Sequence, residues 1–95
     1  MEIKKTDQFL VWESRLDDIR AMAHIQARIR RLGLGNPGDV RPVGEGVSEM
    51  RIHYGPGYRV YYKRTGFEIV ILLVGGTKKT QSEDIALAKE LARGF

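Results

Sequence analysis

Arg51, His53 and Arg59, followed further on by Lys78 and Lys79, are the side chains here whose types suit phosphate and proton chemistry. Cutting a ribose phosphodiester through its own 2′-hydroxyl needs one group to take that proton. Cations must hold the charge growing on phosphorus, and another group must protonate the departing oxygen. Guanidinium groups grip phosphate oxygens bidentately, which suits Arg51 and Arg59, with Lys78 or Lys79 adding charge. Histidine has an unperturbed pKa of about 6.5, so His53 can both give and take a proton. Tyr61 could stack on an unpaired base, and Lys63 lies two residues beyond it. The same residue types also suit a solvated sheet face, and Arg51 could simply pair with Glu49 or a cross-strand carboxylate.

The segment V-S-E-M-R-I-H-Y-G-P-G-Y-R-V-Y-Y-K-R over residues 47–64 must position most of these groups. Its two alternating arms around Gly55-Pro56-Gly57 predict a β-hairpin with a short glycine-containing loop. Side chains two apart on a strand share a face. Met50, Ile52, Val60 and Tyr62 therefore take one side, and Glu49, Arg51, His53, Arg59, Tyr61 and Lys63 the other. Residues 1–5 read as a brief strand, and Thr6 or Asp7 can cap a helix carrying Phe9, Trp12 and Leu16. Asp17-Asp18 offers a second cap before Met22, Ile25, Ile29 and Leu32 at helical spacing. Arg20, His24, Arg28 and Arg31 lie roughly opposite, as on a solvated helix face. Gly33 and Gly35 end that helix. Pro42 limits residues 40–43 to a short edge strand. The apolar run over residues 67–74 predicts a central strand, Gly75-Gly76-Thr77-Lys78-Lys79 a flexible basic loop, and Thr80 with Glu83 a capping box for a last helix.

These elements predict an α+β domain spanning residues 1–95: two N-terminal helices packed on a small, mostly antiparallel twisted sheet, with a C-terminal helix. Helices on one face would leave the cationic set on a free face. The chain has 95 residues, 42% hydrophobic and 29% charged, which suits one core. No run approaches a membrane span and the N-terminus lacks a signal-peptide stretch, so the expected location is the cytoplasm. With no cysteine and two histidines, neither a disulfide framework nor a thiolate or histidine-rich metal site is expected, and no cofactor is implied. The net charge of +4 favours a polyanion or an acidic protein as partner.

The segment G-N-P-G-D-V-R-P-V-G-E-G-V-S-E-M-R-I-H-Y-G-P-G-Y-R-V-Y-Y, then L-L-V-G-G-T-K-K-T-Q-S-E-D-I, resembles the RelE/ParE toxin superfamily, in its HigB-like addiction-module branch. The resemblance covers nearly the whole chain. It implies the toxin of a type II toxin–antitoxin system: an mRNA interferase that enters the ribosomal A site and cuts messenger RNA to a 2′,3′-cyclic phosphate. It also implies an antitoxin partner with a helix-turn-helix domain and higher-order toxin–antitoxin assemblies. The family's G-Y-R matches Gly57-Tyr58-Arg59, which puts its phosphate-binding arginine at Arg59. Its K-x-K pair falls on Arg51 and His53, and its later basic pair on Lys78 and Lys79. Ile85 stands where the family has a tyrosine, so that role has no counterpart at the matching site. The alternatives are a non-enzymatic gyrase inhibitor of the ParE kind and an inactive relative that binds only RNA or antitoxin.

Overall fold

In the computed structural model, which describes residues 1–95, a strand opens the chain and the hydrophobic periodicities resolve into five strands and three α-helices. The order is β1 (Glu2–Lys5), α1 (Asp7–Ser14), α2 (Ile19–Gly33), β2 (Val40–Gly44), β3 (Val47–Ile52), β4 (Tyr58–Thr65), β5 (Ile69–Thr77) and α3 (Gln81–Ala92), with a 3₁₀ turn at Lys78–Thr80. The strands form one sheet in the order β1-β5-β4-β3-β2. β1 runs parallel to β5, and the other neighbours are antiparallel. No helix is long and apolar enough to cross a membrane.

Local chemistry explains the boundaries. The Thr6 hydroxyl accepts from Phe9 N–H at 3.0 Å and donates to the Leu73 carbonyl at 2.6 Å, so it starts α1 and ties it to β5. Asp18 caps α2 by accepting from the N–H groups of Arg20 and Ala21. Ala21, Ile25, Ile29 and Leu32 then form the buried stripe of α2 at steps of three and four. The stripe packs on Met50, Ile52, Val60, Tyr62, Val70 and Leu72 of the sheet, with Phe9 from α1. Each such side chain contributes about 1.5–3 kcal/mol when fully buried. α2 ends as expected at the Gly33–Gly35 segment, with Gly35 at a φ of 88°.

The expected layering is corrected. α3 lies on the opposite face of the sheet from α2, where Ala88 and Ala92 pack on Val47, Tyr61, Ile71, Leu73 and Val74. The five-stranded sheet therefore has helices on both faces, α1 and α2 on one and α3 on the other, and is not a small sheet covered on a single face. The physical reason lies in β5. Its residues Val70 to Gly76 are all buried, and a strand apolar on both faces needs a cover on each. The face expected to stay free is thus largely closed.

β5 also runs later than expected. Phe67 is an exposed tip residue of the β4–β5 hairpin, while Gly75, Gly76 and Thr77 continue the strand and are not a flexible loop. Helices pack so closely here that only glycine fits. A Cβ on Gly75 would lie 2.3 Å from the Trp12 ring, and one on Gly76 would lie within bonding distance of the Asp84 carboxylate. The expected capping box at Thr80 and Glu83 is replaced by one turn earlier, in which Thr80 Oγ1 accepts from Thr77 N–H. Replacing Gly75 by alanine should push the indole aside and lower the unfolding free energy by about 1–3 kcal/mol in urea denaturation. An unchanged denaturation midpoint would show that α1 does not press on the strand.

Candidate functional site at the Gly57 end of the sheet

The hairpin residues pair Arg51 directly with Arg59, and Arg59 with Gly76 on its other side. Two guanidinium stems side by side on one face repel unless anions answer them. Two carboxylates do so here, one buried and one at the rim.

The buried one is Glu49, which has no exposed surface. Arg41 Nε donates to it at 2.9 Å, Tyr61 OH at 2.9 Å and Gln81 Nε2 at 2.8 Å, and Arg59 Nε approaches at 3.6 Å. Burial pushes the Glu49 carboxyl up, but the hydrogen bonds from Gln81, Arg41 and Tyr61 outweigh it and hold it below the usual glutamate range. Burial, and then the bond to this carboxylate, drives the Tyr61 hydroxyl far above its ordinary value. Arg59 is 9% exposed and donates from Nη1 to the Gly57 carbonyl at 2.7 Å. Lys78 N–H donates to the same carbonyl at 2.9 Å. Gly57 has a φ of 78°, and a Cβ there would sit 3.1 Å from Arg59 Nη1 and 3.4 Å from Lys78 Cβ. One glycine therefore brings the guanidinium and the start of the Lys78 side chain together.

The rim carboxylate is Asp39, just before β2. Its Oδ1 accepts from Arg51 Nη2 at 2.9 Å, and its Oδ2 lies 2.5 Å from His53 Nε2. Hydrogen bonding from Arg51, then from His53, holds the Asp39 carboxyl below the usual range. His53 is 75% exposed at its side chain and sits just past the end of β3.

The structure thus gathers Arg51, His53, Arg59 and Lys78 around one end of the β3–β4–β5 strands. Lys79 follows Lys78 in the exposed 3₁₀ turn, without an ion pair. Two expected substrate contacts are corrected. Tyr61 is wholly buried beneath α3, so its ring has no face open to a base. Lys63 lies four residues, roughly 13 Å, up the strand from Arg59. Its Nζ donates to the Ala92 and Phe95 carbonyls, a cation on the C-terminal end of α3. No group of three or more His, Cys, Asp or Glu side chains is arranged to hold a metal ion.

No family model matches the chain. A Haemophilus influenzae protein described only as uncharacterized is 50% identical over 93 residues, covering 98% of this chain and 94% of that one. The chain belongs to that protein's family. The relative's description names no activity.

Asp39, Glu49 and Gln81 complete the site and were not assigned to it from the sequence. Glu49 shares the strand face of Arg51, and that alternation is its signal. Asp39 lies in a turn-rich stretch and Gln81 on the last helix, and neither carries a local sign of its destination. Glu49 ionises in the folded protein at a lower pH than in the unfolded chain. Its contribution to stability is therefore fully present above the unfolded glutamate value of ~4.3 and is lost as pH falls through the lower folded value. Glu49→Gln should cost about 3 kcal/mol at neutral pH, because the Arg59 guanidinium loses its buried countercharge, and the deficit should shrink in acid. Thermal melts at several pH values give the comparison, and a deficit that stays constant down to the acid limb contradicts it.

Proposed function

We propose that the protein is the toxin of a type II toxin–antitoxin pair, acting in the cytoplasm as a ribosome-dependent endoribonuclease on messenger RNA. The observation that carries this reading is the side-by-side placement of Arg51 and Arg59, with His53 beyond one and Lys78 against the other. Those groups supply the positive charge and one of the two proton transfers that transfer of a phosphodiester to its own 2′-hydroxyl requires. The resemblance of the G-P-G-Y-R-V-Y-Y and G-G-T-K-K-T-Q segments to RelE/ParE toxins supports the same chemistry.

In this mechanism the 2′-oxygen attacks phosphorus, the bond to the 5′-oxygen breaks, and a 2′,3′-cyclic phosphate and a 5′-hydroxyl result. Arg51 and Arg59 hold the non-bridging oxygens as charge accumulates on them. Their positive charge is already balanced on the protein side by Asp39 and Glu49, so the site does not fly apart when empty. His53 exchanges a proton with one of the two reacting oxygens, and solvent water exchanges the proton of the other. Lys78 and Lys79 add positive charge at the mouth and favour approach of the RNA backbone. Tyr61 and Lys63 belong to the support of the site, one bonded to the Glu49 carboxylate beside Arg59 and one at the end of α3. The partner in this reading is an antitoxin, a helix-turn-helix protein whose flexible acidic segment covers the basic rim.

Inducing the wild-type chain in bacteria should arrest growth and create new messenger ends at the A site, mapped by primer extension. Arg59→Ala and His53→Ala should each reduce cutting by about 10²-fold or more and relieve the arrest. Arrest without new messenger ends contradicts the nuclease reading. Arrest accompanied by gyrase-dependent DNA breaks and an SOS response would replace it with gyrase inhibition.

A further inference from the structure

We infer that Asp39 is a positioning residue for this reaction, a two-armed clamp that fixes the Arg51 guanidinium and the His53 imidazole relative to each other. The inference rests on the nuclease reading of the rim and adds to it a residue from outside the hairpin. Each carboxylate oxygen serves one partner: Oδ1 takes Arg51 Nη2 and Oδ2 takes His53 Nε2. The His53 ring makes no other hydrogen bond and is mostly exposed, so nothing else in the protein sets its direction. A proton-transfer group must be held within hydrogen-bond reach of its target, and a group swinging freely in solvent seldom is. With Nε2 committed to Asp39, Nδ1 is the ring atom left to exchange a proton with the substrate.

The clamp can hold because its own backbone is anchored independently of its side chain. The Asp39 carbonyl accepts from Arg51 N–H at 3.0 Å and from Arg28 Nη2 at 3.3 Å. Arg28, reaching across from α2, also donates to the Arg51 carbonyl at 2.6 Å and the Pro37 carbonyl at 3.0 Å. Gly38, with a φ of 72°, lets the chain pass close over that guanidinium, where a Cβ would sit 3.0 Å from Arg28 Nη2. The basic face of the second helix thus contributes through Arg28, which sets the loop that presents Asp39. Exposed ion pairs such as these contribute little to stability, so removing the carboxylate should leave the fold in place.

The test uses Asp39→Ala, which keeps every backbone bond of the loop, and Asp39→Asn, which keeps the shape. In nitrogen-resolved spectra of the full-length protein, the wild type should show a hydrogen-bonded Nε2 proton on His53 that disappears in Asp39→Ala. On ribosomes programmed with messenger, both variants should lower the cleavage rate at saturating protein by about tenfold or more. The half-saturating concentration should stay within about twofold, since the clamp acts on the reaction and not on docking. Three results overturn the inference: an Nε2 proton that persists in Asp39→Ala, a wild-type saturating rate in both variants, or tighter binding with faster cutting. The last would make Asp39 a competitor of phosphate. A wild-type protein that cuts no messenger removes the nuclease reading, and the positioning role with it, even where the Nε2 signal depends on Asp39. A signal independent of Asp39 in a protein that does cut removes the clamp alone.

Discussion

A carboxylate with no exposed surface, Glu49, ties together pieces of chain that are far apart in sequence. Arg41 reaches it from β2, Tyr61 and Arg59 from β4, and Gln81 from the first turn of α3. A lone buried carboxylate would be costly, and this one is tolerated because each of its oxygens is hydrogen-bonded and cations stand close by. Its bonds tie the first turn of α3 to β3 and β4 and hold the Arg59 stem alongside.

The covering of that face narrows the region open to chemistry from a broad cationic surface to a rim. Tyr61 goes under the helix and Lys63 closes the helix end. What remains open is the end of the strands at Gly57, where the hairpin turn, the loop before β2 and the 3₁₀ turn meet. Glycines make the meeting possible: Gly57 admits Arg59 and Lys78 to its flank, and Gly76 leaves its side-chain space to Asp84. Burial pushes the Asp84 carboxyl up, in contrast to Asp39, which the hydrogen bonds from Arg51 and His53 hold down. Asp84 and Asp39 are thus set apart by their surroundings, and of these two only Asp39 is hydrogen-bonded to Arg51 and His53.

The hairpin was legible in the sequence because its alternation is strict. Met50, Ile52, Val60 and Tyr62 pack together on one side, and Glu49, Arg59 and Tyr61 lie on the other. The helix caps at Thr6 and Asp18 were legible for the same local reason, a short polar side chain preceding an apolar period. The layering was not. Whether a helix with a weakly amphipathic sequence such as α3 returns to the second face depends on β5 needing cover on both sides, and on a buried carboxylate that meets Gln81. Those are non-local facts. The glycine pair at Gly75-Gly76 misled for a related reason: glycine marks a loop in isolation but here marks close packing by Trp12 and Asp84. Asp39 went unassigned because only the folded loop carries it to Arg51 and His53.

The proposed function requires the rim at Gly57 to be the surface that meets RNA. Binding of a short RNA carrying a 2′-deoxy nucleotide at the scissile position, followed residue by residue through backbone and side-chain NMR shifts, tests this without any cleavage. The shifts should concentrate on Asp39, Arg51, His53, Arg59 and Lys78, with Lys63 and the buried Tyr61 ring unaffected. Shifts centred instead on Lys63 and the end of α3 would contradict it.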